Sequence, residues 1–345
     1  MKPTRPIMKT LLTVAVSLTA FCQAQAAEKL SIFCWSEYIP QAVVEKFQET
    51  TGIKVSIENY ASNEEMLAKL GSGGSYDLIQ PSEYTVEALI KENLLQPLDK
   101  SAIPNLKNVA PEFLNLSYDP SNKYSVPWMV GSVGIIVNTD KVKDEIKSFK
   151  DVFQPKFKKR IVVLDDAREL TTAALSTLGI SCNDITDANL EKARGVLKDW
   201  LPLVKVYDSD SPKTAMLNGD TDLGVVWSGE GALLQRENKK FKWVIPTGES
   251  HQFVDNLCIP KGSKNKANAE KFINFILQPD ISALISADFP YTNPNAEARK
   301  LLSPEDLANT ASYPPAGESK KMILFKDIGK KASDIDALIT DLRAE

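Results

Sequence analysis

Residues 30–81 decide the fold, and their sequence is LSIFCWSEYIPQAVVEKFQETTGIKVSIENYASNEEMLAKLGSGGSYDLIQP. Three short apolar runs in this stretch predict strands, and two segments between them carry apolar residues at helical spacing. The predicted strands are 30–34, 53–57 and 77–79, and the predicted helices begin near Pro40 and Ser62. Two β-α-β units in about 50 residues predict a mostly parallel sheet flanked by helices.

The rest of the chain continues this alternation of strands and helices. Further strands are predicted at 133–137, 160–164, 223–227 and 243–245, and further helices at 167–178, 187–199, 268–277 and 334–342. A chain of 345 residues is too long for one typical core and is expected to form two domains. We therefore predict an α/β fold of two lobes with a ligand cleft between them, where small-molecule sites tend to lie.

Composition and charge exclude several classes of protein. A hydrophobic fraction of 43% with 25% charged residues rules out a mostly disordered chain and a polytopic membrane protein. The net charge of −4 disfavours a nucleic-acid partner. With one histidine, His251, there is little scope for histidine-based catalysis or zinc binding, and neither a metal nor another cofactor is predicted. We interpret His251 as a solvated loop residue, with a pH-sensitive rim near Phe253 and Asp255 as the alternative.

The first 26 residues have the pattern of a secretory signal peptide. Lys2, Arg5 and Lys9 precede an apolar run at 11–21 that is too short to span a bilayer, and small residues end the segment at Ala26. A membrane anchor helix is the alternative. Cleavage after Ala26 removes three bases and no acids, so the exported chain would carry a net charge of −7. We therefore expect an exported protein that acts outside the cytoplasm.

Cysteine adds only a weak constraint. The exported chain would keep Cys34, Cys182 and Cys258, so at most one disulfide can form, and which of them pair, if any, stays open. Their spacings match no zinc motif, and small buried apolar residues are the simplest interpretation.

Polar and aromatic side chains follow several predicted strands directly. They lie at 35–38 (WSEY), 82–84 (SEY), 165–169 (DDARE) and 227–228 (WS), and 253–255 (FVD) precedes another apolar run. Ligands of open parallel sheets bind beyond the carboxyl ends of the strands. Carboxylates can pair with ammonium groups, and aromatic faces can cover methylene spacers and add about 0.5–2 kcal/mol of cation–π attraction each. The combination favours an organic polycation, although Asp166 and Glu169 also have the spacing of a plain capping box.

The ordered set of motifs resembles the periplasmic spermidine/putrescine-binding proteins of ABC importers. The set is Trp35-Ser36-Glu37-Tyr38, 51–55 (TGIKV), 76–78 (YDL), Pro81-Ser82, 165–169, Trp227 and 291–295 (YTNPN). The resemblance covers residues 29–345 and implies a two-lobed periplasmic-binding-protein fold that closes over a linear polyamine. It also implies interleaved lobes, 27–134 with 254–300 and 135–253 with 301–345, and delivery of the ligand to a membrane permease.

The resemblance further implies which side chains contact the ligand. Asp166 and Glu169 would bind the ammonium at one end, Asp255 a further nitrogen, and Glu37 the far end. The complete predicted ligand-binding set is Trp35, Ser36, Glu37, Tyr38, Ser82, Tyr84, Asp166, Glu169, Ser209, Trp227, Phe253, Asp255 and Tyr291.

Two phenylalanines depart from the pattern of spermidine binders. The family carries tryptophan where Phe253 stands, and phenylalanine is a weaker cation–π partner without an indole N–H. The family also carries a glutamine near the position of Phe325 and a threonine where Ser36 stands. The difference between threonine and serine is conservative. The pair of Asp166 and Glu169 favours spermidine over putrescine, whereas the two phenylalanines leave the exact polyamine open.

Two other functions remain to be weighed. A receptor for a different small solute is one, although an anionic ligand would need clustered bases, and Arg168 is the only base in the motifs 35–38, 82–84, 165–169, 227–228 and 253–255. A secreted hydrolase is the other, with Asp166 and Glu169, or Glu37 and Asp255, as an acid–base pair of carboxylates. We predict a monomeric receptor and not an enzyme, whose partners are a polyamine and the permease of an ABC importer.

Overall fold

The computed structural model describes residues 28–315 and 317–345. Their strands are β1 (Lys29–Trp35), β2 (Lys54–Tyr60), β3 (Leu78–Ile79), β4 (Ser125–Asn138), β5 (Ile161–Val163), β6 (Val204–Tyr207), β7 (Leu223–Trp227), β8 (Phe241–Val244), β9 (Ser250–Cys258) and β10 (Met322–Ile323). Their α-helices are α1 (Gln41–Thr51), α2 (Asn63–Gly71), α3 (Glu83–Lys91), α4 (Phe149–Val152), α5 (Ala167–Thr177), α6 (Asp187–Trp200), α7 (Lys213–Leu217), α8 (Ser228–Glu237), α9 (Lys266–Ile276), α10 (Pro279–Asp288), α11 (Ala296–Arg299), α12 (Pro304–Leu307) and α13 (Lys331–Ala344). Short 3₁₀ helices lie at Lys100–Ala102, Pro104–Asn108, Pro111–Phe113, Pro155–Phe157, Leu201–Leu203 and Glu318–Lys321.

The strands of the described residues join into one sheet in the order β2-β1-β3-β9-β4-β7-β5-β6, with β10 beside β9 and β8 beside β4. Both outer parts are parallel, since β1 pairs with β2 and β3, and β5 pairs with β6 and β7, in the same direction. In the middle, β4 and β9 run antiparallel to each other and to the next strand on either side. The predicted α/β class is therefore confirmed, with parallel outer parts around an antiparallel centre.

The long strand β4 connects the two halves of the sheet. It has 14 residues and, at about 3.3 Å per residue, is about 45 Å long. Its first half pairs with β9 as far as Ser132, and from Val133 onwards it pairs with β7. The chain thus passes from one half of the sheet to the other within a continuous strand.

The apolar core divides at the same place. One set of clusters packs α1 and α9 against β1, with Phe47 and Phe272 fully buried. The other packs α5, α6 and α13 against β5 and β7, with Leu197 and Ile339 buried among them. The predicted lobe boundaries, between 134 and 135 and between 253 and 254, fall inside β4 and β9 and stay a prediction.

Most local predictions recur in the structure with shifts of a few residues. The strand predicted at 133–137 is only the second half of β4. Residues 253–255, expected only to precede an apolar run, lie inside β9. Both strands are buried along nearly their whole length, which removes the polar alternation that would have marked their true extent. The signal peptide predicted at 1–26 lies outside the described residues. Among those residues, no helix combines the length and the apolar character needed to cross a bilayer.

Candidate functional site

A cavity of about 570 Å³ lies between the two sets of core clusters. Its volume falls in the range of small-molecule sites. Twelve of the thirteen predicted residues line it, namely Trp35, Ser36, Tyr38, Ser82, Tyr84, Asp166, Glu169, Ser209, Trp227, Phe253, Asp255 and Tyr291. The remaining one, Glu37, lies outside this lining. The structure therefore gathers the ends of β1 and β7, the starts of α3 and α5, and the middle of β9 around one cleft.

Asp255 is the carboxylate of the central strand β9, and only 2% of its surface is exposed. It accepts hydrogen bonds from the Ser82 hydroxyl at 2.7 Å and the Tyr38 hydroxyl at 3.1 Å. Both donors are neutral, so its charge is not balanced by a salt bridge from the described residues. Burial raises the pKa of Asp255 to about 7, although the two hydrogen bonds act in the opposite direction. A bound cation would restore its ionised form.

The wall beside Asp255 is held rigid by Asn63, at the start of α2. Its side-chain amide donates to the hydroxyls of Ser82 at 3.1 Å and Tyr84 at 2.8 Å, and its oxygen accepts from the Ser82 backbone at 3.2 Å. Trp35 is fixed in turn by its indole N–H, which donates to the Gln80 carbonyl at 2.9 Å. These bonds position the polar groups before any ligand enters, which lowers the ordering cost of binding.

Asp166 caps the N-terminus of α5, and its side chain accepts from the Glu169 backbone N–H at 2.9 Å. Only half of the possible capping box forms, because the Glu169 side chain turns to His251 instead of returning to the Asp166 backbone. Burial, reinforced by the negative charge of Glu169, raises the pKa of Asp166 to about 7. Asp166 is therefore a second carboxylate that gains from a cationic ligand.

Aromatic rings form the other wall of the cleft. The ring of Phe253 lies 5.5 Å from the rings of both Trp227 and Tyr291, in edge-to-face geometry. Two glycines make room for them, since a Cβ on Gly131 would lie 2.2 Å from Phe253 Cζ, and one on Gly229 would lie 2.6 Å from Tyr291 Cζ. Such a wall suits the methylene spacers of an organic cation.

Glu37 lies between two lining residues, Ser36 and Tyr38, and its backbone adopts a left-handed φ of +63°. Its side chain is 60% exposed and lies 3.7 Å from the ammonium of Lys213 on α7. That ammonium also lies 3.0 Å from Glu230 on α8, a carboxylate with only 2% of its side chain exposed. The Lys213–Glu230 pair was not predicted, because neither residue follows a strand in a way that marks it.

The expectation that His251 is a solvated loop residue is wrong. It lies on β9 with 3% of its surface exposed, and it bridges two buried carboxylates. Its Nδ1 lies 2.5 Å from Glu169 and its Nε2 lies 3.0 Å from Glu83. Burial alone would lower the pKa of His251, but the two carboxylates outweigh it and raise the pKa to about 9.

A sequence signal for this placement exists. His251, Phe253 and Asp255 alternate along β9, so their side chains point to the same face of the strand. Once Asp255 is placed in the cleft by the motif, the period of two places His251 beside it. No strand is predicted over residues 250–255, so the alternation of these side chains does not enter the interpretation of His251.

Phe325 lies against the histidine. Its ring stacks on the His251 ring with centroids 3.5 Å apart and planes 5° apart, and the Arg168 guanidinium lies 4.0 Å from the Phe325 centroid. Phe325 also lines the cavity. The ring therefore separates two cations at this end of the cleft.

Three buried oxygens of the lining have no hydrogen-bond partner among the described residues. They are Glu169 Oε2, Ser209 Oγ and Thr85 Oγ1. Buried polar atoms are nearly always satisfied, so these oxygens are positions where a ligand donor can bond. A bound ammonium carries three donors of this kind.

Cys34, Cys182 and Cys258 are free and buried, so no disulfide joins them. The described residues contain no group of three or more His, Cys, Asp or Glu side chains that could hold a metal ion.

Comparison with known proteins gives concordant matches. The family described as bacterial extracellular solute-binding protein matches residues 42–315. The spermidine/putrescine-binding periplasmic protein of Salmonella typhimurium is 36% identical over 334 residues, 96% of each chain. The putrescine/cadaverine-binding protein of Pseudomonas aeruginosa is 32% identical over 344 residues, 94% of this chain and 96% of that one.

A solved structure agrees with these matches. The spermidine/putrescine ABC transporter substrate-binding protein of Streptococcus pneumoniae superposes with a TM-score of 0.79 at 34% identity, over 92% of this chain and 99% of that chain. Relatives and neighbours of this kind are binding proteins, which leaves the hydrolase alternative without support. The chain belongs to the family of bacterial extracellular solute-binding proteins and is not an enzyme.

Proposed function

We propose that the protein captures a polyamine outside the cytoplasm and delivers it to the permease of an ABC importer. The observation that carries the proposal is the pairing of unneutralised carboxylates with an aromatic wall in one cavity. Asp255 and Asp166 provide the charge, and Trp227, Phe253 and Tyr291 provide apolar faces. The names of the relatives support the same ligand class.

In this proposal the thirteen predicted residues act together. Asp255 and Asp166 bind ammonium groups by charge-assisted hydrogen bonds, which are about twice as strong as neutral ones. The hydroxyls of Tyr38 and Ser82 hold the Asp255 carboxylate in place. Trp35, Ser36, Tyr84, Glu169, Ser209 and the aromatic wall complete the enclosure, and Glu37 closes the opening.

Transport follows from lobe closure. We propose that the lobes are 27–134 with 254–300 and 135–253 with 301–345, as expected from the resemblance. A ligand that touches both lobes binds the closed form better than the open form and shifts the population toward it. The closed form is the one that docks on the permease.

Isothermal titration of the chain from residue 27 onwards, with spermidine, putrescine and cadaverine, tests the proposal. Binding of at least one polyamine is expected, together with a smaller radius of gyration by small-angle scattering when it is bound. The absence of heat and of thermal stabilisation with every polyamine would overturn it. Light scattering on the same sample tests the predicted monomer, and amino-terminal sequencing of the exported protein tests cleavage after Ala26.

The choice of polyamine is a finer question. Sequence reasoning favours spermidine, because Asp166 and Glu169 together would attract an additional ammonium. That expectation requires the Glu169 carboxylate to be free for the ligand. Glu169 is instead paired with His251 at 2.5 Å, so the relative affinities of spermidine and putrescine are the measurement that matters.

A further inference from the structure

Glu169 differs from the other carboxylates of the cleft because the protein supplies its cation. The His251 ring lies between Glu169 and Glu83, at 2.5 Å and 3.0 Å. Glu83 is fully buried and also accepts from the backbone N–H groups of Val254 and Phe325, each at 3.0 Å. The ring is thus fixed in place and cannot move aside for a ligand without leaving two buried acids unpaired.

The remaining buried and half-buried carboxylates of the lining fall into two groups. Glu230 and Asp327 have their own cations, the ammonium groups of Lys213 and Lys91, each at 3.0 Å. Asp255 and Asp166 form no salt bridge within the described residues, and their partners are two hydroxyls and one backbone amide. The interior of the cleft therefore offers two carboxylates whose charge the protein does not balance.

We propose that His251 is a specificity-determining residue, a resident cation that takes the place of one ligand ammonium and makes the cleft select a diamine over a triamine. The inference rests on the proposed polyamine function. A diamine places one ammonium at Asp255 and one at Asp166. The additional ammonium of a triamine would lose its water beside an imidazolium of like charge, because the charge of Glu169 is already balanced by His251. The other lining carboxylates without a salt bridge among the described residues are exposed and do not lie in the interior of the cleft, and they are Glu64, Asp210 and Asp336.

The surroundings of His251 keep it cationic. Burial lowers its pKa, but the carboxylates of Glu169 and Glu83 outweigh that effect and raise the pKa to about 9. The ring therefore remains protonated at neutral pH. Stacking on Phe325 at 3.5 Å leaves its edge, where both nitrogens lie, facing the two acids.

The test compares dissociation constants for putrescine and spermidine at pH 7.5 in the wild type, His251→Leu and His251→Gln. The wild type is expected to bind putrescine more tightly. Both substitutions free a carboxylate, and a charge-assisted hydrogen bond to an ammonium is worth about 1.5–3 kcal/mol. The ratio of the two constants should therefore move toward spermidine by at least about tenfold.

Two controls separate charge from structure. Gln252→Asn changes the neighbouring side chain on the opposite face of β9 and should leave the ratio unchanged. His251→Leu combined with Glu169→Gln removes the cation and the carboxylate together. Since no carboxylate is freed, the ratio is expected to stay near the wild-type value, although the affinities for both amines should fall. His251→Gln keeps a hydrogen-bonding group at this position if leucine prevents folding.

The possible results are distinct. Binding of neither polyamine to the wild type would overturn the proposed function and this inference with it. A wild type that binds polyamines but prefers spermidine, or His251 variants with an unchanged ratio, would overturn the inference alone. A tenfold shift in the single variants that the double variant reverses would support it.

Discussion

The affinity for a polyamine should rise steeply with pH between 6 and 8. Burial raises the pKa values of Asp255 and Asp166 to about 7 each, and the ligand requires both groups ionised. Aliphatic amines have pKa values near 10.4, so the ligand stays charged throughout this range. The pKa of His251, about 9, lies above it. The change in affinity therefore comes from the two aspartates.

The size of the effect follows from the two pKa values. A carboxylate with a pKa of about 7 is about one-eleventh ionised at pH 6 and about ten-elevenths ionised at pH 8. Each aspartate thus contributes about a tenfold gain in affinity, and the two together about 100-fold. At pH 7 each releases about half a proton, so about one proton should leave per ligand bound.

Isothermal titration in buffers of different ionisation enthalpy measures both quantities. In Asp255→Asn the gain between pH 6 and 8 should fall to about tenfold, on top of a lower affinity at every pH. Glu112→Gln, a charge removal outside the cleft lining, should keep the full gain. A constant affinity from pH 6 to 8 without proton release would refute the reasoning, because it would mean that both aspartates are already ionised in the empty cleft.

Three further outcomes are expected. Tyr38→Phe removes one hydrogen bond to Asp255 and should weaken ligand binding by about 0.5–1.5 kcal/mol, as measured by isothermal titration. An equal loss in the free energy of unfolding without ligand would instead indicate a structural role. Gly229→Ala should displace the Tyr291 ring and weaken binding, whereas Gly262→Ala, which meets open space, should not; equal affinities for the two variants would contradict this. The pKa of Asp255 is raised in the folded state, so its contribution to stability is lost as pH rises through about 7. Without ligand at pH 8, Asp255→Asn should therefore unfold at a higher temperature than the wild type. The corresponding gain in the free energy of unfolding is up to about 4 kcal/mol and should vanish near pH 4.

Sequence patterns predicted the α/β class and several cleft residues for one physical reason, whereas the complete ligand-binding set was implied by the family resemblance. Strands and helices of the outer sheet are short and locally patterned, as in β1, α1 and β2. Parallel strands place their carboxyl ends at one edge, so residues that follow β1 and β7 become neighbours without knowledge of the packing. Trp35 and Trp227 could be assigned to one site on this basis.

The middle of the sheet was harder to predict. β4 and β9 are buried on both faces, so their polar residues show no alternation against an apolar background. As a result no strand is predicted from the sequence over β9, and the prediction for His251 is a solvated loop. The error concerns the extent of the strand. Had β9 been predicted from residue 250 onwards, its period of two would have placed His251 on the same face as Asp255.

The sequence by itself determined which kinds of side chain are available to the cleft, because strand ends and caps are local features. Only the tertiary structure decided which of those charges are already neutralised. His251 meets Glu169 across 82 positions of the chain and Glu83 across 168. Lys213 on α7 likewise meets Glu37, which lies just after β1. Such pairs depend on how distant elements pack, and no local pattern records them. The number of free carboxylates, and with it the proposed choice of polyamine, is therefore a property of the fold.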